Sequence, residues 1–230
     1  MLRAIVEHKN QVRKGITAEN ADVVFATSSI IAFHVQSGHH VSAVEEEHNA
    51  LTHWFQSWDG VRTILRACWD HLMANEIKEL ILSETAMEYL GFIKEEPEEA
   101  KKSQPFNFLL EDLDTTSVDT ETVLAYSTSV DALNRIFREV GGMHVMKFTA
   151  IVCKRFVNLV GERDPRAFTI VGYFLMLLKK LDRVWWLQGA AERDFRFVMK
   201  SLSEEWKSRM AWAASEIEGG TTLDERAISC

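Results

Sequence analysis

Helix breakers are scarce in this chain. Three prolines and 11 glycines in 230 residues leave long stretches with nothing to interrupt helical hydrogen bonding, which favours long helices over a many-stranded sandwich or barrel. With 47% hydrophobic residues, the chain can close one sizeable core without a metal or disulfide staple. The expected fold is all-α, a single-domain helical bundle of about eight helices.

Apolar spacing and capping signals place those helices. Asn20 offers a cap for a helix through Val35, and Val23, Val24, Phe25, Ile30, Ile31 and Phe33 make it apolar around most of its circumference. Glu45, Glu46 and Glu47 precede Leu51, Trp54 and Phe55, as acids do at the start of a short helix. From Trp58 to Met73 the positions Val61, Ile64, Leu65, Cys68, Trp69 and Leu72 form one stripe, with Arg62, Arg66 and Asp70 opposite. A helix is expected over 77–90, and another starts at Asp119 or Thr120 and stops at Gly141-Gly142. Val145 to Val160 reads as one helix, Asp164-Pro165 starts the next and leads to Leu181, and Trp185 to Met210 reads as a long one.

Composition changes abruptly between Lys94 and Asp119. Eight acids, three lysines and two of the three prolines fall there, which predicts an acidic, mobile linker over 94–119. Its apolar middle, Phe106 to Leu110, is suited to dock on the core. The domain is therefore expected over residues 20–210, with 1–19 and 211–230 as flexible or peripheral ends.

Charge and motifs narrow the function. The formal net charge of −8 gives no global attraction to phosphate backbones, which argues against direct nucleic-acid binding. Cys68, Cys153 and Cys230 are scattered and odd in number, as in a reduced compartment, and Cys68 and Cys153 fall on apolar helical stripes where an inert thiol is expected. The longest strongly apolar run, Ala167 to Leu178, falls short of the roughly 20 residues that span a bilayer. His48 and His53 stand five apart, the wrong spacing for two ligands on one helix face. Glu111, Asp112 and Asp114 do not make the aspartate-rich motif of an isoprenoid cyclase and lie in the expected linker. Neither a nucleophile elbow nor a phosphate-binding glycine loop is present in the sequence, and no metal, nucleotide or redox cofactor is expected.

What stands out is apolar. Phe25, Ile31, Phe33, Phe174, Met176, Leu177, Trp185 and Trp186 are punctuated by Ser28, Ser29, Gly172, Tyr173 and Gln188. Aromatic walls with a few polar groups suit a chamber for a small lipophilic molecule, and the same stripes suit ordinary core packing. Phe25, Ser28, Phe33, Phe174, Trp185 and Trp186 are the candidate pocket residues.

Two blocks carry a resemblance. Asn20-Ala21-Asp22-Val23-Val24-Phe25-Ala26-Thr27-Ser28-Ser29-Ile30-Ile31-Ala32-Phe33 is followed by Trp58-Asp59-Gly60-Val61-Arg62-Thr63-Ile64-Leu65. Further on come Lys154-Arg155-Phe156, Asp164-Pro165-Arg166-Ala167, Gly172-Tyr173-Phe174 and Trp185-Trp186-Leu187-Gln188-Gly189-Ala190-Ala191. This ordered set resembles the C-terminal regulatory domain of fungal zinc-cluster (Zn2Cys6) transcription factors, closest to the sterol uptake control protein branch. The resemblance implies an all-helical domain that senses a hydrophobic small molecule, a sterol in that branch, forms a homodimer and controls RNA polymerase II transcription from the nucleus, with a cytoplasmic resting state. It implies no enzyme activity.

Family members also carry a six-cysteine zinc cluster, and the three cysteines here do not form one, so no direct DNA contact is expected through this chain. The branch's glycine-rich end has only Gly219-Gly220 as a counterpart. Two alternatives stay open on the residues alone. One is an enzyme of fungal specialised metabolism acting on a terpenoid or polyketide, with His34, Asp182 and Glu192 as candidates. The other is a dimerising module without a ligand.

Overall fold

The computed structural model describes residues 2–38, 47–74, 104–114, 116–138, 142–185 and 187–219. Among the described residues ten α-helices follow in chain order: α1 (Leu2–Lys14), α2 (Ala21–Gly38), α3 (Glu47–Ala74), α4 (Thr120–Arg138), α5 (Lys147–Ile151), α6 (Lys154–Gly161), α7 (Pro165–Leu178), α8 (Ala190–Ser201), α9 (Glu204–Ser208) and α10 (Ala211–Glu218). Short 3-10 turns occupy Asn107–Leu110, Gly142–Met146 and Lys179–Leu181. Among the described residues there is no strand, and the fold is all-α. The helix expected over 77–90 lies outside the described residues.

Helix α7 is the axis of the molecule. Its start follows from local chemistry: Pro165 occupies the first turn, where its missing N–H is no loss, and the Asp164 carboxylate accepts the Ala167 N–H at 2.8 Å. Its sequence is apolar on every side, so it belongs inside, and every residue from Arg166 to Leu178 is buried. Helices α4, α6, α8, α9 and α10 pack around it, while α3 packs on α2, α5, α6 and α8. A smaller cluster joins Ala21, Val24, Leu65, Cys68 and Leu72 with Val12 and Ile16, anchoring α1 at one end. Burial there pushes the Cys68 thiol up, as expected for an inert structural cysteine.

The close approach of α10 to α7 depends on Gly172. A Cβ built there would lie 2.0 Å from the Met210 methyl, and Met210 is fully buried. Gly172→Ala gains helix propensity of about 1 kcal/mol but must displace Met210 from a filled core, at about 1–3 kcal/mol. The expected result is a net loss of about 1 kcal/mol in urea unfolding, with Met210→Ala in the Gly172→Ala background less damaging than the sum of the single changes.

Several expectations are corrected by the packing. The run 145–160 is broken, because Val152 and Cys153 are extended. The break is held by Arg62, whose guanidinium donates to the Ala150 and Val152 carbonyls and pairs with Asp59 at 3.0 Å. Carbonyls at a helix end need such donors. Arg62 is thus only 7% exposed, not on an outer face. Cys153 is exposed rather than on a buried stripe.

The run 185–210 is not one helix either, since a straight one would be about 39 Å long and could bury only part of its stripe on a compact core. Gly189 adopts a left-handed conformation before α8, and the extended Leu202 and Ser203 separate α8 from α9. The chain then folds back so that Leu202, Met210, Ala213 and Ile217 all reach the core. Asn20 closes the turn before α2 rather than capping forward: its side chain accepts the Thr17 N–H at 2.8 Å and donates to the Gly15 carbonyl. Asp119 does cap α4, accepting both the N–H and the hydroxyl of Thr122.

The apolar middle of the acidic stretch sits on this core. Phe106 and Leu109 are buried, and the Phe106 ring stacks on Trp212 at 5.4 Å. Asn134 accepts the Phe106 N–H and donates to Asn107. Arg166 donates to the carbonyls of Leu109 and Glu111. Segment 104–114 is therefore a strap across α4 and α7.

Candidate functional site

The site is built on α3. Trp54 and Trp58 stand four residues apart, one helical turn, and so share a face. Trp54 packs 5.4 Å from Phe174 of α7 and 5.9 Å from Phe55, while Trp58 meets Phe33 of α2 edge-on at 5.2 Å. Phe174 in turn stacks on Phe148 at 4.8 Å and lies 6.0 Å from Phe55. The result is an aromatic seam running from the α2 surface, where Phe33 is 42% exposed, to the centre, where Phe174 is 0% exposed.

Both tryptophans are buried, and the Nε1–H groups of Trp54 and Trp58 have no hydrogen-bond acceptor among the described residues. A buried donor left unpaired costs about 1–3 kcal/mol. Two such donors on one helix face can serve an ordered water or the oxygen of an otherwise apolar guest. Trp54→Phe removes one donor together with part of a ring, and the two effects oppose each other. Its expected cost is under about 1 kcal/mol in urea unfolding, against about 3–5 kcal/mol for Trp54→Ala. A loss near the alanine value for the phenylalanine variant would mean that the N–H is bonded in solution.

The six residues picked from sequence have different environments. Phe33 meets Trp58 and Phe174 meets Trp54, two tryptophans on one face of α3 that sequence reasoning left out of the site. Phe25 is half-buried on α2 and packs against both apolar clusters. Ser28 is buried and its hydroxyl is committed, donating to the Val24 carbonyl at 2.8 Å and accepting from His8 Nε2 at 3.2 Å. Burial also lowers the His8 imidazole pKa from its ordinary value. Trp185 is 81% exposed on the turn before α8, and Trp186 lies outside the described residues.

This chain is similar to a Zn(2)-C6 fungal-type transcription factor of Gibberella zeae. The two are 29% identical over 243 aligned residues, covering 93% of this chain and 48% of that protein. The chain thus spans about half the length of the relative it matches. No family profile matches the chain, and no solved structure does.

Asp182 and Glu192, considered for catalysis, are engaged elsewhere. Burial works against ionisation of Asp182, but the Gly189 N–H at 2.7 Å and Lys179 at 3.0 Å outweigh it and hold its carboxyl below the ordinary value. Glu192 pairs with the same lysine. Together these contacts fix the turn carrying Trp185, and neither carboxylate joins the aromatic seam. His34 is exposed. In the acidic stretch, Asp112 pairs with Arg209 at 2.8 Å, and Asp114 accepts from Thr116 and Ser117, which brings its carboxyl down to about 2. Among the described residues no three His, Cys, Asp or Glu side chains are grouped to hold a metal ion, and no helix is long and apolar enough to cross a membrane.

Proposed function

We propose that this chain is a regulatory domain of a fungal Zn2Cys6-type transcription factor that senses a hydrophobic, sterol-like small molecule. The observation that carries the transcriptional part is the likeness to the Gibberella zeae transcription factor across 93% of the chain. The all-α fold and the ordered residue set of the resemblance support the same reading. The seam of Phe33, Trp58, Trp54 and Phe174, with its two unpartnered indole donors, supports the sensing part.

In this reading a guest enters at Phe33, its hydrocarbon body replaces aromatic contacts along α3, and its oxygen accepts from an indole N–H. Occupancy shifts the balance of two arrangements of α2 against α3 and α7 by the difference in affinity between them. The readout is exposure of a surface that governs nuclear entry or activation, in a homodimer that rests in the cytoplasm. DNA contact belongs to another part of the transcription factor, and this domain performs no enzymatic reaction.

The test is a reporter in a fungal host, with the chain fused to an unrelated DNA-binding domain. Transcription is expected to change by about fivefold or more when sterol synthesis is blocked, as a coupling of about 1 kcal/mol would give. Trp58→Ala should remove that response while the fusion still accumulates. Output that differs from the DNA-binding domain alone but ignores sterol supply would retain the transcriptional role and remove the sensor. Output equal to the DNA-binding domain alone would remove both.

A further inference from the structure

Helix α2 is apolar on two opposite sides. Ala21, Val24, Ser28 and Ala32 form the buried side, against α3. Val23, Ala26, Ile30 and Phe33 form the other. Val23 is 61% exposed, Ile30 65% and Phe33, beyond its contact with Trp58, 42%, and Ala26 is exposed as well. A helix apolar around its circumference belongs inside a larger assembly. We propose that this outer stripe packs antiparallel on the same stripe of a second copy of the chain.

Spacing and side-chain size select that geometry. The stripe repeats at intervals of three, four and three residues, the pattern of a seam between two helices. In an antiparallel pair with its two-fold axis level with Ser28, Val23 meets the partner's Phe33 and Ala26 meets the partner's Ile30. Each layer then sets a smaller side chain against a larger one, so the volumes interdigitate. A parallel pair would set alanine on alanine and phenylalanine on phenylalanine, a void beside an overfilled layer.

Charge selects the occupant. No residue from Val23 to Phe33 is charged, which gives an acidic or basic partner nothing to read. Helix α2 contains no Lys or Arg, the residues by which an apolar helix face settles on an anionic lipid surface. The ionisable residues that flank the stripe are Asp22 and His34, at opposite ends of it. Antiparallel pairing brings each Asp22 to the end that holds the partner's His34, whereas parallel pairing gathers both acids at one end. A face that complements itself in size and in charge fits a second copy. One stripe buries less than the roughly 1,200–2,000 Å² of a standard interface, so the pair is expected to be reversible.

The homodimer belongs to the proposed function, and its interface rests on that part of the reading. Sedimentation equilibrium of the whole chain at about 1–100 μM is expected to show monomer and dimer in exchange, with a dissociation constant of tens of micromolar. Ile30 lies outside the aromatic seam. Ile30→Asp should weaken the dimer at least about a hundredfold, because it buries two unpaired carboxylates, while Ile30→Leu should stay within about threefold. Both should keep the native far-ultraviolet spectrum. Orientation is read by mild oxidation of chains in which Cys153 and Cys230 are replaced by serine. A mixture of Ala26→Cys and Ile30→Cys chains should cross-link faster than either alone. A dimer indifferent to Ile30→Asp would overturn this interface and leave the homodimer to another face, and a monomer at every concentration would overturn both. Binding of such a monomer to phosphatidylcholine vesicles would assign the stripe to lipid instead. Faster cross-linking of Ala26→Cys alone than of the mixture would overturn the antiparallel arrangement. The sterol response is read separately by the reporter.

Discussion

Phe174→Ala is expected to destabilise the chain by about 3–5 kcal/mol, a large part of the roughly 5–15 kcal/mol that separates folded from unfolded states in a domain of this kind. The reason is the position of the ring. It is fully buried on the central helix α7, stacked on Phe148 and flanked by Trp54 and Phe55. Truncation removes the transfer energy of the ring and leaves a void that three aromatic neighbours cannot close together. In urea unfolding the midpoint should fall steeply with the slope preserved. A loss under about 1.5 kcal/mol would mean that the ring already borders empty space, and would move Phe174 from the packed end of the seam to a chamber wall.

Arg166→Met is the second large effect. The guanidinium donates to the carbonyls of Leu109 and Glu111, and lies 5.2 Å from the Trp206 ring and 5.9 Å from Tyr126. Burial holds its pKa down, and the nearby Arg209, which approaches Trp206 at 5.0 Å, acts in the same direction. Methionine keeps the hydrophobic stem but leaves two strap carbonyls without that donor, and the expected cost is about 2–4 kcal/mol. The loss should be local before it is global. Amides of 104–114 should exchange with solvent much faster, while those of α7 keep most of their protection. Unchanged protection in the strap would show that Phe106 and Asn134 hold it without the arginine.

The starts of α4 and α7 were legible because their signals are local: Asp119 caps its own first turn, and Asp164-Pro165 does the same for α7. The break at Val152 and Cys153 was not, since it is held by Arg62 from 88 and 90 residues away, a distance no helical period can read. The break after Leu202 did leave a readable trace. Ser203 followed by Glu204 and Glu205 is a helix start, but Phe195, Val198 and Leu202 keep helical spacing up to it and hid the stop. Helix α10 was missed for a related reason: it has only the short apolar set Ala211 to Ala214 and Ile217, and its burial depends on the space opened by Gly172.

For the candidate site, Phe33 and Phe174 were readable as aromatic residues on apolar helices. That Trp58 and Trp54 are their partners was not, because the two pairings span three helices. Nor can a sequence show that two indole N–H groups lack acceptors, which is a property of everything packed around them. Trp185 illustrates the converse: a tryptophan in an apolar context reads as buried, yet the Asp182–Gly189 turn carries it outward.

The most direct measurement of the central claim is native mass spectrometry of the whole chain purified gently from a fungal host. The account predicts a species heavier by one hydrophobic small molecule per chain, released intact on activation, and lost in the Trp58→Ala variant that still folds. Protein of high purity that shows only its bare mass, and stays bare after incubation with sterol, would contradict it.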